Sequence, residues 1–248
     1  MAISIAKLEA AAARGWRAPE EASLGSWLLR AAGGFTGRAN SALAIGSAGL
    51  PLPAAIESVR RWYEARGLRA MVAVPFPLGG PPSRVDQFLA DRGWPVRSSA
   101  ATVMTASLAV LARHAVPVPV DVHAEPDEAW LRLYHYRGQQ PPPIARTLLM
   151  SAPWQAFGSV RADGETIAVG RVAAASGWAG LTAIEVHPEH RRRGLATAIT
   201  AALAALAVGR GVAGLYLQVE NDNVAARSLY ARAGFADHHG YHYRMAPA

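Results

Sequence analysis

A basic turn rich in small residues stands between two apolar runs near the middle of the second half of the chain. The run from Trp178 to Val186 predicts a strand, and the alanine- and leucine-rich run from Leu195 to Val208 predicts a helix. The first amides of a helix have no acceptor within it, and together with the helix dipole they attract anions. Gly194 and Ala196 leave room for a bulky group at this helix start. The spacing therefore predicts a phosphate-binding loop.

Three consecutive arginines, Arg191, Arg192 and Arg193, add positive charge to this loop. All three cannot face one ligand. Taken alone, the stretch also fits an ordinary helix start with a solvated basic turn, so a second motif is needed to decide.

The second motif runs from Gln218 to Phe235, downstream of the predicted helix. Together the two segments resemble the acetyl-CoA-binding motifs of the GNAT N-acetyltransferase superfamily, over residues 125 to 245. The first matches Val-x-Pro-x-x-Arg-x-x-Gly-x-Gly/Ala at Val186, Pro188, Arg191, Gly194 and Ala196. The second matches Asn-x-x-Ala-x-x-x-Tyr-x-x-x-Gly-Phe at Asn223, Ala226, Tyr230, Gly234 and Phe235.

The resemblance implies acetyl-CoA as co-substrate and a set of residues that bind it. In the family, the strand before the loop splays from its neighbour, and its free backbone groups pair with the pantetheine arm. Tyr230 stands where the family places the general acid for the departing thiolate, and a phenol is a plausible donor to a thiolate. The cofactor-binding residues implied are Ile184, Val186, Arg191, Arg192, Arg193, Gly194, Leu195, Ala196, Thr197, Asn223 and Tyr230.

The base that frees the amine has several candidates in the sequence. Glu185 lies on the splayed strand, where several GNAT enzymes keep a glutamate that takes the amine proton. Alternation along a strand puts Glu185 and Val186 on opposite faces, so only one can point at the acetyl group. His187, Glu220 and water are the alternatives. We therefore predict Tyr230 and Glu185 as the catalytic residues.

A helical region at the start of the second half is expected to line the acceptor side. The sequence predicts a helix from Pro126 to Arg137, with Asp127 and Glu128 in its first turn, and a short one from Ile144 to Met150. In GNAT folds this region contacts the acceptor, which makes Tyr134, His135 and Tyr136 candidates, although ordinary packing explains any one of them.

The first half of the chain repeats the order of the second. A helix predicted from Pro53 to Arg66 and ended by Gly67 resembles the helix of the second half, but Gly46 to Pro53 replaces the basic loop. That stretch has no basic residue, and its prolines remove N–H donors. Two-domain actinobacterial GNAT proteins look like this, and the stretch Ala31–Asn40 resembles theirs too.

These observations predict an α/β (α+β) protein with two tandem GNAT-like domains. Each would be a mixed, mostly antiparallel sheet flanked by helices. In the first half, the run from Ala39 to Ile45 is a strand candidate. In the second half, three strands are expected to form an antiparallel meander with turns at Asp163-Gly164 and Ser176-Gly177: Trp154 to Arg161, Glu165 to Ala174 and Trp178 to Val186. We expect a degenerate N-terminal domain at residues 1–114, a proline-rich linker at 115–124 and a catalytic domain at 125–248.

Composition limits the remaining possibilities. The chain has 248 residues and no cysteine, which excludes disulfides, thiolate metal sites and a cysteine nucleophile. The N-terminal run carries Lys7 and Glu9 within its apolar pattern, unlike a signal peptide, and the longest apolar run is too short to span a bilayer. We expect a cytoplasmic protein without membrane contact, as a monomer or homodimer.

The formal net charge of +7 favours anionic ligands such as the phosphates of CoA. The arginines are scattered, so no dedicated nucleic-acid binding is predicted. His238, His239 and His242 lack cysteine or acidic partners at ligand spacing, and a surface loop and strand explain them better than a metal site.

The sequence thus predicts an acetyl-CoA-dependent N-acetyltransferase acting on a primary amine of a small molecule or peptide. Two alternatives stay open: a non-catalytic acyl-CoA-binding or interaction protein, and an acetyltransferase of a protein N-terminus. The sequence does not identify the acceptor amine.

Overall fold

The computed structural model describes residues 3–97, 100–108, 118–136 and 138–247. The helices in these ranges are α1 (Ile5–Gly15), α2 (Leu52–Glu64), α3 (Arg84–Ala90), α4 (Glu128–Leu133), α5 (Ile144–Leu149), α6 (Leu195–Val208) and α7 (Val224–Arg232), with a 3-10 turn at Pro188–His190. The strands are β1 (Glu20–Leu24), β2 (Trp27–Ala31), β3 (Ala42–Leu43), β4 (Met71–Phe76), β5 (Ala101–Ala106), β6 (Asp121–His123), β7 (Trp154–Ala162), β8 (Glu165–Ala175), β9 (Trp178–Val186), β10 (Gly214–Glu220) and β11 (Ala236–Met245).

The strands form a single mixed sheet in the order β1-β2-β3-β4-β11-β5-β10-β9-β8-β7-β6. The pairs β3–β4 and β9–β10 are parallel, and the other pairs are antiparallel. The predicted α/β class, with mostly antiparallel strands flanked by helices, is confirmed. The two halves of the chain share this one sheet.

The last strand of each half is inserted into the other half. Strand β5 of the first half lies between β10 and β11, with Met104 opposite Leu217 on β10. Strand β11 lies between β4 and β5, with Tyr241 opposite Pro75 on β4. The division into two domains at residues 115–124 stays a prediction, and the sheet is continuous across it.

Several predicted elements have the bounds that their patterns indicate. Helix α6 spans Leu195–Val208 as predicted. The β7–β8–β9 meander turns at Asp163-Gly164 and Ser176-Gly177, and Asp163 and Ser176 both have a φ of +51°. Tight two-residue hairpin turns require a positive φ at their first position, which is why these dipeptides predict such turns.

Other elements are shorter than predicted, or were not predicted. The helix predicted from Pro126 to Arg137 is reduced to α4, because the backbone is already extended at Tyr134; Arg137 lies outside the described residues. Asp127 caps α4 by accepting from the Trp130 amide. The strand predicted from residue 39 to residue 45 is reduced to β3. Part of the predicted linker forms β6, which pairs with β7.

The apolar core of the second half lies between the sheet and α6. Ile199 and Leu203 are fully buried against β8 and β9. Gly170 on β8 permits this close approach, because a Cβ there would lie 2.4 Å from Ile199. A further cluster joins the halves, with Trp16 and Phe35 of the first packing with Trp130 of the second. No helix within the described ranges is long and apolar enough to cross a membrane.

The histidines near the C-terminus lie in β11, but the prediction that they are surface residues is wrong for His239. Its side chain is fully buried, and its Nε2 lies 2.8 Å from Glu9 Oε1 on α1. His242 Nε2 similarly contacts Asp86 Oδ1 at 2.7 Å. These partners are far away in sequence, so local spacing gave no sign of them. Among the described residues, no group of three or more His, Cys, Asp or Glu side chains is placed to hold a metal ion.

Candidate active site

Strands β9 and β10 separate at the end where the basic loop begins. Their parallel pairing runs from Trp178 opposite Gly214 to Leu181 opposite Leu217. Beyond this point β9 continues to Val186 and β10 continues to Glu220 without pairing to each other. The edge of β9 that faces β10 is therefore open to another hydrogen-bonding chain.

A β-bulge at the same place changes which side chains face the core. The pairing of β8 with β9 shifts so that Ala183 and Ile184 both lie opposite Gly170, and Ala183 has a φ of +53°. As a result Ile184 and Val186 pack on the α6 side of the sheet, as Leu181 does. Without the extra residue, the two-residue period of a strand would place Ile184 on the other side.

The bulge also sets the position of Glu185. Its Oε2 accepts a hydrogen bond from the backbone N–H of His135 at 2.8 Å, just beyond the end of α4. Its Oε1 lies 3.9 Å from His135 Nδ1. Glu185 is thus held between the splayed strand and the predicted acceptor-side segment.

The predicted phosphate loop has the geometry of an anion site. Arg192 and Gly194 have φ values of +63° and +79°, and the first carbonyl-bonded amide of α6 is that of Ala198, which donates to Gly194 at 2.9 Å. Within the described ranges, no backbone carbonyl accepts from the amides of residues 195–197. Unpaired amides at a helix start are donors for a phosphate.

A groove of about 1260 Å³ runs from this loop along α7 to the end of β9. Arg193 does not line it, since its guanidinium lies 3.4 Å from His190 Nδ1. Arg191 lines the groove, and its Nε donates to the Val186 carbonyl at 3.2 Å. The predicted cofactor-binding residues in its lining are Ile184, Val186, Arg191, Arg192, Gly194, Leu195, Ala196 and Thr197.

A second cavity, of about 380 Å³, adjoins the groove at the splayed end of β9. The two share four lining residues, His135, Ile184, Glu185 and Ala226. The acceptor-side candidates Tyr134, His135 and Tyr136 all line the second cavity, together with Asn223, Tyr230 and Glu220. A ligand in the groove and a ligand in the cavity would meet beside Glu185.

Tyr230 lies on α7 and faces the second cavity. Asn223 caps the helix by accepting from the Ala226 amide at 3.1 Å. The Tyr230 ring packs edge to face on Phe235, with the ring centroids 5.8 Å apart. Burial raises the pKa of the Tyr230 hydroxyl to about 12, because desolvation penalises the phenolate. Tyr230 therefore carries its proton throughout the physiological pH range.

The candidates for the base differ in position. Glu185 and Glu220 line the second cavity, whereas His187 lines neither cavity. His187 Nδ1 is buried and has no hydrogen-bond partner among the described residues. The geometry places Glu185 where both cavities meet.

The second cavity also contains residues that the sequence did not indicate as site residues. Gln218 comes from β10, and Tyr241 and Tyr243 come from β11. Gly37 and Arg38 come from the β2–β3 loop of the first half, within the stretch that resembles tandem GNAT proteins. That stretch was the available signal, but the sequence gave no indication that it reaches the second half.

The match to a family model covers residues 3–244, and the description of that family is "Probable histone acetyltransferase Rv0428c C-terminal". The chain belongs to this family. It is 28% identical, over 97% of its length and 98% of the relative's, to an uncharacterized N-acetyltransferase, YobR, of Bacillus subtilis. The GNAT resemblance is therefore confirmed, and the chain is an N-acetyltransferase of that superfamily.

Solved structures support the fold. A GCN5-related N-acetyltransferase from Kribbella flavida superposes with a TM-score of 0.71 at 20% identity, covering 100% of this chain and 97% of that one. A tandem GNAT protein from the clavulanic acid biosynthesis pathway superposes with a TM-score of 0.62 at 20% identity, covering 79% and 70%. The tandem organisation of the GNAT fold is consistent with the second of these.

Proposed function

We propose that this N-acetyltransferase takes its acetyl group from acetyl-CoA and moves it to a primary amine of a small molecule or peptide. The observation that carries the proposal is the junction of the groove and the second cavity at Glu185. A two-substrate transfer needs two binding spaces that meet at the reacting atoms.

The residues of the groove fit acetyl-CoA. The free amides of residues 195–197, with Arg191 and Arg192, suit the pyrophosphate. The unpaired edge of β9 at Ile184 and Val186 suits the amides of the pantetheine arm. Arg193 points elsewhere, so its assigned role is limited to the positive charge of the loop.

The reaction that acetyl-CoA supplies is aminolysis of a thioester. The amine nitrogen bonds to the acetyl carbonyl carbon, the C–S bond breaks, and the nitrogen loses a proton. Glu185 receives the amine proton, directly or through water, and the Tyr230 hydroxyl donates a proton to the sulfur. The raised pKa of Tyr230 keeps its hydroxyl protonated at neutral pH, and it also makes that hydroxyl a weaker acid than a free phenol.

Purified protein with acetyl-CoA and a panel of amines provides the test, with CoA thiol release as the readout. The proposal expects amine-dependent release and a product heavier by one acetyl group. A non-catalytic acyl-CoA-binding protein would bind acetyl-CoA and release no thiol with any amine.

A protein amine is a second candidate acceptor. It is favoured by the description of the matched family, which names a probable histone acetyltransferase. A histone-tail peptide and peptides with free N-termini therefore belong in the panel. Mass spectrometry of the products distinguishes side-chain acetylation from N-terminal acetylation.

A further inference from the structure

The loop at residues 33–40, between β2 and β3, brings one charged side chain from the first half into the second cavity. We call this segment the Arg38 loop. Gly37 and Arg38 line the cavity alongside Glu185 and Tyr230 of the second half. The first half therefore contributes directly to the space beside the proposed reaction centre.

The Arg38 loop is held in one conformation by a buried asparagine. Asn40 Oδ1 accepts from the amides of Ala32 and Gly34, both at 2.8 Å. Asn40 Nδ2 donates to the carbonyls of Phe35 and Thr36, at 2.6 Å and 2.9 Å. Four hydrogen bonds from one buried side chain fix the loop before any ligand arrives.

The loop also docks on the walls of the cavity. Phe35 packs edge to face on Tyr136, with the ring centroids 5.2 Å apart. Gly37 lies so close to Tyr243 that a Cβ there would be 2.8 Å from the ring. Thr36, at a φ of +63°, accepts from Trp16 Nε1 at 3.3 Å. A threonine in this backbone region is strained, and the surrounding contacts maintain it.

Among the residues that the structure describes, the guanidinium of Arg38 has polar and aromatic neighbours and no acidic partner. Its Nη1 donates to Gln218 Oε1 at 2.9 Å, and its Cζ lies 4.7 Å from the centroid of the Trp16 ring. Within the described ranges, no carboxylate oxygen lies within 4.0 Å of it. A guanidinium has five donors and stays charged in proteins, so Arg38 retains both charge and donors for a ligand.

The tyrosines around Arg38 do not neutralise it. Burial raises the pKa values of Tyr134 and Tyr241 to about 12, so both hydroxyls are neutral at physiological pH. The carboxylates in the cavity lining are Glu185 and Glu220, both on the splayed strands. The cavity thus offers a cation from the first half and carboxylates from the second.

We propose that the acceptor is an amine that also carries a carboxylate, as an α-amino acid does, and that Arg38 binds the carboxylate while the amine lies near Glu185. The guanidinium fork matches a carboxylate with two parallel hydrogen bonds. This inference rests on the proposed acetyl transfer and assigns the first half a role in acceptor specificity.

The test compares each proteinogenic L-α-amino acid with its α-carboxamide, by thiol release with acetyl-CoA. Spermidine and an amidated histone-tail peptide represent amines without a carboxylate. The carboxamide amine is the less basic of each pair, so more of it is neutral, and this biases the comparison against the proposal. Binding of each pair to the protein with CoA present is measured by calorimetry.

The proposal expects at least one amino acid to be preferred over its carboxamide by about 10- to 100-fold in kcat/KM, since a charged hydrogen-bonded contact contributes on that order. Arg38→Gln should remove this preference, and Arg38→Lys should retain part of it. Acetyl-CoA affinity should not change. Arg60→Gln, at an exposed position on α2, is the matched control and should keep the wild-type preference.

Equal use of acids and carboxamides, or turnover of spermidine or the peptide alone, would overturn the inference while leaving the acetyltransferase intact. Absence of thiol release with every amine would instead count against the proposed function. In that case, calorimetry decides the inference: it stands if the acid binds more tightly than its carboxamide and Arg38→Gln abolishes the difference, and otherwise it fails.

Discussion

The guanidinium of Arg171 donates to the main-chain carbonyl of Gly15 at 3.0 Å. Arg171 lies on β8 in the second half, and Gly15 is the last residue of α1 in the first. The same side chain donates to the carbonyl of Leu149, the last residue of α5, at 2.7 Å. A fully buried cation is thus placed at the negative ends of two helices, which offsets the cost of burying its charge.

Replacing Arg171 should destabilise the whole molecule. Arg171→Met keeps much of the length but leaves two buried carbonyls without donors, which costs about 2–5 kcal/mol in the free energy of unfolding. Chemical denaturation followed by circular dichroism measures this loss in the free energy of unfolding. Arg161→Met, at an exposed ion pair on β7, is the control and should cost about 1 kcal/mol or less. Equal effects of the two substitutions would contradict this account of Arg171.

Gly194→Glu should abolish acetyl-CoA binding, because a carboxylate would occupy the predicted pyrophosphate position. Part of any effect comes from losing glycine at positive φ, about 1–2 kcal/mol. Gly211→Glu is the matched control: Gly211 has a φ of +67° beyond the other end of α6, with open space around it. Titration calorimetry should find wild-type affinity in the control alone. Intact binding by Gly194→Glu would remove the loop from the cofactor site.

Tyr230→Phe should lower kcat by about 10²- to 10⁴-fold if loss of the thiolate limits the rate, with acetyl-CoA affinity nearly unchanged. Phenylalanine retains the packing on Phe235 and removes only the proton donor. Single-turnover measurement separates this step from product release.

The pH dependence of that variant is a further check on Tyr230. Burial raises its pKa to about 12, so the proton-bearing form is present below that pH and is lost as the pH rises through it. The ratio of wild-type to Tyr230→Phe rates should therefore be constant from pH 6 to pH 9. If the ratio instead falls toward one as the pH rises within this range, Tyr230 loses its proton there, and that result would contradict the raised pKa.

Two substitutions at Glu185 separate proton transfer from positioning. Glu185→Gln keeps an oxygen acceptor for the His135 amide but cannot take a proton, and Glu185→Ala loses both functions. If Glu185 is the base, both variants should lose activity, most strongly at low pH, where the amine is protonated. If the carboxylate only positions the segment after α4, then Glu185→Gln should retain activity and Glu185→Ala should not.

The exchange of β5 and β11 predicts that the second half does not fold alone. A fragment of residues 118–248 would lack β5, leaving β10 unpaired on one side and separating it from β11. We expect the separate fragment to be unfolded or aggregated by circular dichroism and size exclusion, and co-expression with residues 1–117 to restore a folded complex. A monomeric, cooperatively unfolding fragment would show that the two halves are separable.

Local patterns predicted the elements whose structure is decided locally. The helix from Leu195 to Val208 follows from its apolar composition and the glycine before it, and the meander follows from its Asp-Gly and Ser-Gly turns. The predicted phosphate loop has positive φ at Gly194, as a glycine at a helix start allows. In such segments the residues that determine the conformation are neighbours in sequence.

The parts that were missed depend on residues far apart in the chain. Nothing near β11 indicates that it pairs with β4, and nothing near Arg38 indicates that it lines the same cavity as Glu185. The bulge at Ala183 was also unpredictable, because alanine carries no preference for positive φ. The alternation of side chains along a strand correctly placed Glu185 and Val186 on opposite faces, but the bulge determines which face each one occupies.

The central position of β11 has a consequence for how the chain is made. This strand follows every other strand in sequence, yet it is fifth of eleven in the sheet and forms the junction between β4 and β5. During synthesis, the other ten strands of this sheet therefore leave the ribosome before β11, the strand that completes the sheet. Until then, β4 and β5 expose unpaired edges, and such edges promote aggregation. We expect slow completion of folding, as is usual where contacts join distant parts of a sequence.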